Sequence, residues 1–221
     1  MVIVQPLPSL PHRLNFTFNS LRNTTVSLEN DTIYYEIVTR YWHSDVTKIF
    51  RLDKESRAMN LVARIKGVEK KGKGVMVRFG KEPGDGLARG PEDEKERAEG
   101  GEGEWISEEE FINYDKKNVG GSFDPVPGKE LHWKTQKRRL QMFDPNSPDK
   151  PVASYVPHSR HFWVFRMSKH AVLELRPEVI QPEGSKEGNL EAMDRIIVSY
   201  LLIERRRRLA RLKLKLEKNA S

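Results

Sequence analysis

The sequence predicts a mainly β domain of the β-rich α+β class, in which antiparallel strands pack around one hydrophobic C-terminal helix. Three observations carry that expectation. Apolar residues alternate with polar ones from Leu14 to Phe79, the same short apolar runs return after Gly120, and a single segment, Leu190 to Glu204, contains a run from Ile196 to Ile203 that leaves every face apolar.

The first half breaks into six candidate strands, Leu14 to Phe18, Thr24 to Leu28, the TIYYEIVTRY run, Val46 to Leu52, Met59 to Lys66 and Gly74 to Phe79. In TIYYEIVTRY, Ile33, Tyr35, Ile37 and Tyr41 fall on one face and Tyr34, Glu36 and Arg40 on the other, the alternation of a half-buried strand. Strands at this spacing imply a meander, sandwich or barrel. The KGVEKKGKG segment between the last two supplies glycines for a turn and lysines that no core accommodates, so it reads as a basic hairpin tip. Gly80 to Glu104 is acidic, rich in glycine and without an aromatic residue; such a segment buries too little surface to order itself and is expected to be a disordered insertion.

Beyond it, Ser107 with Glu110 three residues later forms a capping-box pattern that opens a short helix containing Phe111 and Ile112. Further strands are expected over Gly120 to Phe123, Glu130 to Lys134, Arg139 to Phe143, Val152 to Val156, Phe162 to Phe165 and Ala171 to Leu175, with FDPNSPDKP as a proline-rich turn. In the last element Ile196, Ile197, Val198, Tyr200, Leu201, Leu202 and Ile203 are interrupted only by Ser199. A helix with no polar face has to be buried on all sides, and this one is far short of the ~20 apolar residues that span a bilayer. A central strand is the alternative, because periodicity does not separate short apolar runs. Leu212, Leu214 and Leu216 alternate within the polybasic stretch that follows, which does not fit one helix face, so helix is expected only to about Arg211.

One domain is therefore expected over residues 13–208, with a flexible arm at 1–12, the insertion at 80–104 and a basic tail at 209–221. The chain has no cysteine, which removes disulfides, thiolate metal sites and a cysteine nucleophile together and suits a reducing, intracellular, cytoplasmic setting. Its N-terminal dozen residues lack the basic and apolar regions of a signal peptide, so the acceptor-like triplets at Asn15, Asn23 and Asn30 read as turn and strand residues.

No catalytic constellation emerges. His43-Ser44-Asp45 are consecutive, the wrong geometry for a triad. His158 and His161 lie in a loop after a proline with no carboxylate to complete a metal site. Phosphate-binding, zinc-protease and nucleophile-elbow motifs are missing. No enzyme activity, metal or cofactor is expected.

The positive signal is basic. The formal net charge is +7, and the cations gather as Lys66, Lys70, Lys71 and Lys73, as Lys134, Lys137, Arg138 and Arg139, and as Arg205, Arg206, Arg207 and Arg208. Solvated surface patches are one reading of such runs. The sharper one is an anionic membrane surface bound through phospholipid headgroups, where each Lys or Arg contributes about 1 kcal/mol. Non-sequence-specific nucleic-acid binding and a protein-interaction scaffold are the alternatives, the former without any recognisable RNA- or DNA-binding motif.

The ordered set LNFTFNSLRNTTVSLEN, TIYYEIVTRYW, VMVRFG, ELHWK, PVASYV, AVLELRPE and DRIIVSYLLIERRRR resembles the fungal domain of unknown function 6593. It is similar more broadly to the tubby-like architecture of tubby C-terminal domains, phospholipid scramblases and LURP-one-related proteins. The resemblance covers most of the chain outside the first dozen residues and the insertion. It implies a closed antiparallel β-barrel enclosing the hydrophobic C-terminal helix, and it brings no established biochemical activity.

Overall fold

In the computed structural model the apolar periodicities resolve into two connected meanders wrapped around a helix. The structure describes residues 12–18, 20–28, 33–67, 74–82, 103–116, 118–136, 139–158, 170–176, 179 and 186–220. The first meander comprises β1 (His12–Phe16), β2 (Thr24–Leu28), β3 (Tyr34–Thr39), β4 (Val46–Leu52), β5 (Met59–Lys66), β6 (Met76–Glu82) and β7 (Ile106–Ser107). A one-turn helix, α1 (Glu108–Phe111), leads to the second meander: β8 (Asn113–Tyr114), β9 (Gly121–Val126), β10 (Lys129–Gln136), β11 (Arg139–Asp144), β12 (Ser147–Val156) and β13 (Ala171–Leu175). Helix α2 (Lys186–Ala220) ends the described chain.

All the described strands join one 13-stranded antiparallel sheet in the order β7-β6-β5-β4-β3-β2-β1-β13-β12-β11-β10-β9-β8. The two meanders meet where β1 pairs with β13 along its whole length, from His12 opposite Leu175 to Phe16 opposite Ala171. The expected closed barrel is corrected in one respect: no ladder joins the edge strands β7 and β8 among the described residues, so the sheet is open at a seam. The chain nevertheless forces the edges together. Laid flat, thirteen strands would be roughly 55–60 Å across at ~4.8 Å per strand, whereas the five residues between Ser107 and Asn113 span at most about 22 Å. The sheet has to curl.

Helix α1 fills the seam. Its capping box forms as expected, with Ser107 Oγ accepting from Glu110 N–H at 3.1 Å and Glu110 Oε2 accepting from Ser107 N–H at 2.6 Å. Phe111 then bridges the gap, its ring 5.1 Å from Phe79 of β6 and 6.0 Å from Phe123 of β9.

The apolar run of α2 occupies the interior, which excludes the central-strand alternative. Ile196, Ile197, Val198, Tyr200, Leu201, Leu202 and Ile203 are all buried, and inward residues from both meanders share one core with them, among them Leu14, Tyr35, Ile49, Val77, Trp133 and Leu173. Ser199, the one polar residue in the run, is satisfied twice: its Oγ donates to the Ile196 carbonyl and accepts from Trp133 Nε1, both at 2.9 Å. Tyr200 packs against Phe16 and Tyr155 at ring distances of 5.1 and 5.0 Å.

Where the helix enters, Asp194 accepts hydrogen bonds from Tyr35 Oη (2.7 Å) and Arg51 Nη1 (2.5 Å). Arg51 also donates to the Leu190 carbonyl at 3.1 Å. A buried carboxylate is expensive, and here an arginine and a tyrosine from neighbouring strands compensate it.

Several boundaries differ from expectation. β3 ends at Thr39, so Tyr41 leaves the core face and lies in a 3₁₀ turn, Tyr41–His43, 86% exposed. Phe18 falls beyond the end of β1, while His12 of the expected N-terminal arm belongs to that strand. Gly80 to Glu82 continue β6, with Glu82 opposite Leu61, and so are not part of a disordered insertion. Gly103, at φ +105, packs so closely on the Phe79 carbonyl that a Cβ has no room. Residues 83–102, like the expected strand Phe162 to Phe165 and most of the 1–12 arm, lie outside the described residues. Ser147 to Pro151, read as a turn, begin β12, which accommodates its prolines through register shifts opposite Phe143 and Asp144.

The largest difference lies in the tail, which is helical through Ala220. At 1.5 Å per residue, the portion after Arg208 projects about 18 Å from the sheet. Leu209, Leu212 and Leu216 share one face at helical spacing, and Leu214 alone breaks the pattern.

Candidate functional site

Antiparallel register decides which loops share an end of the sheet. β1, β3, β5, β8, β10 and β12 run toward the end from which α2 leaves, and their partners start there: Thr39 faces Thr47, Lys66 faces Met76, Gln136 faces Arg139 and Val156 faces Val172. This exit rim therefore collects the loops after those strands. Among the described residues it also collects Lys66, Arg139 and the exit turn of α2, which are far apart in sequence.

Lys66, the last residue of β5, stands on the rim with its Nζ 5.9 Å from the Trp105 ring. Lys70, Lys71 and Lys73 lie outside the described residues; the residues that flank them are at the rim, where Gly67 N–H donates to the Asp45 carbonyl at 2.9 Å. Lys134 is two residues below the rim in β10 and covers Phe143 at 5.4 Å. Arg139 is exposed at the start of β11, and Lys137 and Arg138 between them lie outside the described residues. Arg205 to Arg208 form the exit turn of α2.

The four arginines are not equivalent. Arg207 is corrected from a surface cation to a buried one: its side chain is 4% exposed and its Nε donates to Glu204 Oε2 at 2.6 Å. Arg208 Nε donates to the other oxygen of Glu204 at 3.0 Å. Arg206 stacks 3.5 Å from the Tyr114 ring and lies 3.5 Å from Glu108, while Arg205 is 3.9 Å from Glu108. Tyr114 donates its hydroxyl to Glu108, and burial followed by that carboxylate pushes its ionisation well above the ordinary phenol range. Only part of the run thus faces outward. The rim also bears acids of its own, Asp45, Asp115 and those of α1.

Hydrophobic exposure follows the same end. The large apolar residues exposed among the described ones are Phe18, Tyr41, Trp42 and Val156 in rim loops and strand ends, and Leu209, Leu212, Leu214 and Leu216 on the projecting helix. Tyr41 and Trp42 stack edge-on at 4.5 Å, and the Arg40 guanidinium covers Trp42 at 5.6 Å. Sequence reasoning missed Phe18, Arg40, Tyr41 and Trp42 because the alternation placed Phe18, Arg40 and Tyr41 inside strands. The available signal was the adjacent YW pair leading into the His-Ser-Asp turn.

Beside the emerging helix the rim contains a cleft of about 450 Å³ between the β1–β2 loop and α2. Its floor is apolar, and Arg22, Arg205 and Arg208 contribute to its lining. A smaller recess of about 250 Å³ lies at the opposite end beside Asp194 and Arg195.

Among the described residues no group of His, Asp and Glu is arranged to hold a metal ion, and no helix is long and apolar enough to cross a membrane.

The model of a family of unknown function, DUF6593, matches residues 19–209. No curated protein and no solved structure matches the chain.

Proposed function

This chain belongs to the family of unknown function DUF6593, a membership that assigns no chemistry, and we propose from its own geometry that it is a non-enzymatic intracellular module that docks its exit rim on anionic membranes. The observation that carries this reading is the coincidence, at one end of the sheet, of Lys66, Arg139 and the exit arginines with all the large apolar side chains exposed among the described residues. Amphipathic aromatics such as Tyr41 and Trp42 favour the headgroup layer, and cations beside them add attraction to anionic lipid. Leu209, Leu212 and Leu216, flanked by Arg211, Lys213 and Lys215, extend the same character along the projecting helix. Nucleic acid would use the cations but gives no reason for exposed aliphatic residues on that helix.

The same proposal includes a tubby-like ancestry of fungal type, with the barrel completed at its seam by α1 rather than by a strand pair. An open-seamed antiparallel sheet around a buried C-terminal helix supports it.

Liposome co-sedimentation at two salt concentrations tests the docking. Vesicles containing anionic phospholipid should pellet the protein at low salt and release it partly at higher salt, because exposed charges are screened beyond ~8 Å near physiological ionic strength. Replacing Phe18 and Tyr41 by serine should weaken binding without unfolding the protein. Equal binding to neutral and anionic vesicles at low salt would refute the proposal, as would tighter, salt-sensitive binding to RNA or DNA.

A further inference from the structure

We infer that the cleft beside the emerging helix takes one acyl chain of an anionic phospholipid, drawn from the surface proposed above. Ile65, Leu201 and Leu202 belong to the buried core, and between Leu21 and Leu209 they present an apolar floor that opens at the rim. Its volume of about 450 Å³ lies within the ~300–1,000 Å³ range of small-molecule sites. At roughly 30 Å³ per water-sized group, that is on the order of fifteen heavy atoms, the size of one chain and too little for two.

Charge selects among the candidates for such a chain. Arg22, Arg205 and Arg208 line the same cleft, and two of them are fixed in place: Arg22 Nη2 donates to the Ser44 carbonyl at 3.0 Å and Arg208 to Glu204 at 3.0 Å. Positioned guanidinium groups beside an apolar floor suit a ligand with an acidic head and an aliphatic tail. A neutral sterol uses only the floor, and a soluble phosphate only the arginines. Cleft and exposed aromatics open at the same end, so a chain leaving a bilayer would enter without the protein turning over.

The test uses the full chain and monomeric oleoyl lysophosphatidate below its micelle concentration, followed by titration calorimetry, with vesicle pelleting in parallel. The wild type should take up about one equivalent. Leu209→Trp fills the mouth from a half-exposed helix position and should weaken uptake at least tenfold; Asn219→Trp, near the far end of the same helix, should leave it unchanged. Lysophosphatidylcholine with the same chain should bind at least tenfold more weakly.

A wild type that binds anionic vesicles but no lysophosphatidate overturns the cleft and leaves the docking surface intact. Uptake of lysophosphatidate without vesicle binding upholds the cleft and overturns the docking surface. Uptake unaffected by Leu209→Trp, or equal affinity for the zwitterionic lipid, overturns the assignment of this cleft to an anionic chain.

Discussion

Removal of Glu204 separates a structural arginine from a membrane-facing one. Its carboxylate holds Arg207 at 2.6 Å, with side-chain exposures of 3% and 4%, and Arg208 at 3.0 Å. Glu204→Ala leaves the buried Arg207 guanidinium without its carboxylate, for which the expected cost is about 3–5 kcal/mol. The partly exposed Arg208 contact adds less than about 1 kcal/mol. Arg207→Met should cost less, because Glu204 keeps Arg208 as a partner, and the double variant Glu204→Ala/Arg207→Met removes both charges and should be markedly less destabilised than the two single effects summed. Urea unfolding followed by fluorescence reads this directly, since Trp133 is fully buried and donates to Ser199 one turn below the pair. With a slope of about 2 kcal/mol/M for a domain of this size, Glu204→Ala should lower the midpoint by about 1.5–2.5 M. Glu204→Ala within about 0.5 kcal/mol of wild type, or a double variant showing simple additivity, would refute the assignment of Arg207 to the core.

Two further outcomes follow from a second buried carboxylate, Asp194, and from the seam. Burial raises the pKa of Asp194 from 3.8 to about 6, outweighing Arg51 and Tyr35, which pull it down. The folded protein then holds this proton more tightly than the unfolded chain, so the contribution of Asp194 is fully present below about pH 4 and is lost as pH rises through about 6. Asp194→Asn should therefore be most destabilising at low pH, its penalty shrinking by up to about 3 kcal/mol across that window; a penalty that grows with pH in chemical-denaturation curves would show that the attraction of Arg51 dominates. At the seam, Ser107→Ala removes the oxygen that accepts from Glu110 N–H and should cost about 1 kcal/mol. Hydrogen exchange should quicken at Phe111 and Ile112 while the β1–β13 junction stays protected, and uniform quickening would mean that α1 is not a local closure.

Period-two alternation was sufficient to find most of the strands, because a strand with one face on a core displays that face residue by residue. It was equally sufficient to bury Ile196 to Ile203, since a segment apolar on all sides has no orientation in which water is tolerable. The capping box at Ser107 was legible for the same local reason: both its bonds close within three residues. Where strands stop was less legible. Tyr41 fits the alternation of β3 but sits past its end, and whether a strand continues depends on a pairing partner, here β4, that the strand's own residues do not specify.

The candidate site belongs almost wholly to the second kind of information. Charge runs mark where cations are dense along the chain, but not which acids oppose them. Glu108 reaches Arg205 and Arg206 only because the sheet curls until its edges flank the end of α2, and Arg207 is internal only because Glu204 turns with it into the core. By itself the sequence determined the elements and the buried helix, whose causes are local periodicity and hydrophobicity. Tertiary structure alone decided that Lys66, Arg139, Arg205, Arg206 and Arg208 share one rim with Phe18, Tyr41 and Trp42, because that depends on strand order and direction, which arise from contacts between segments distant in the chain.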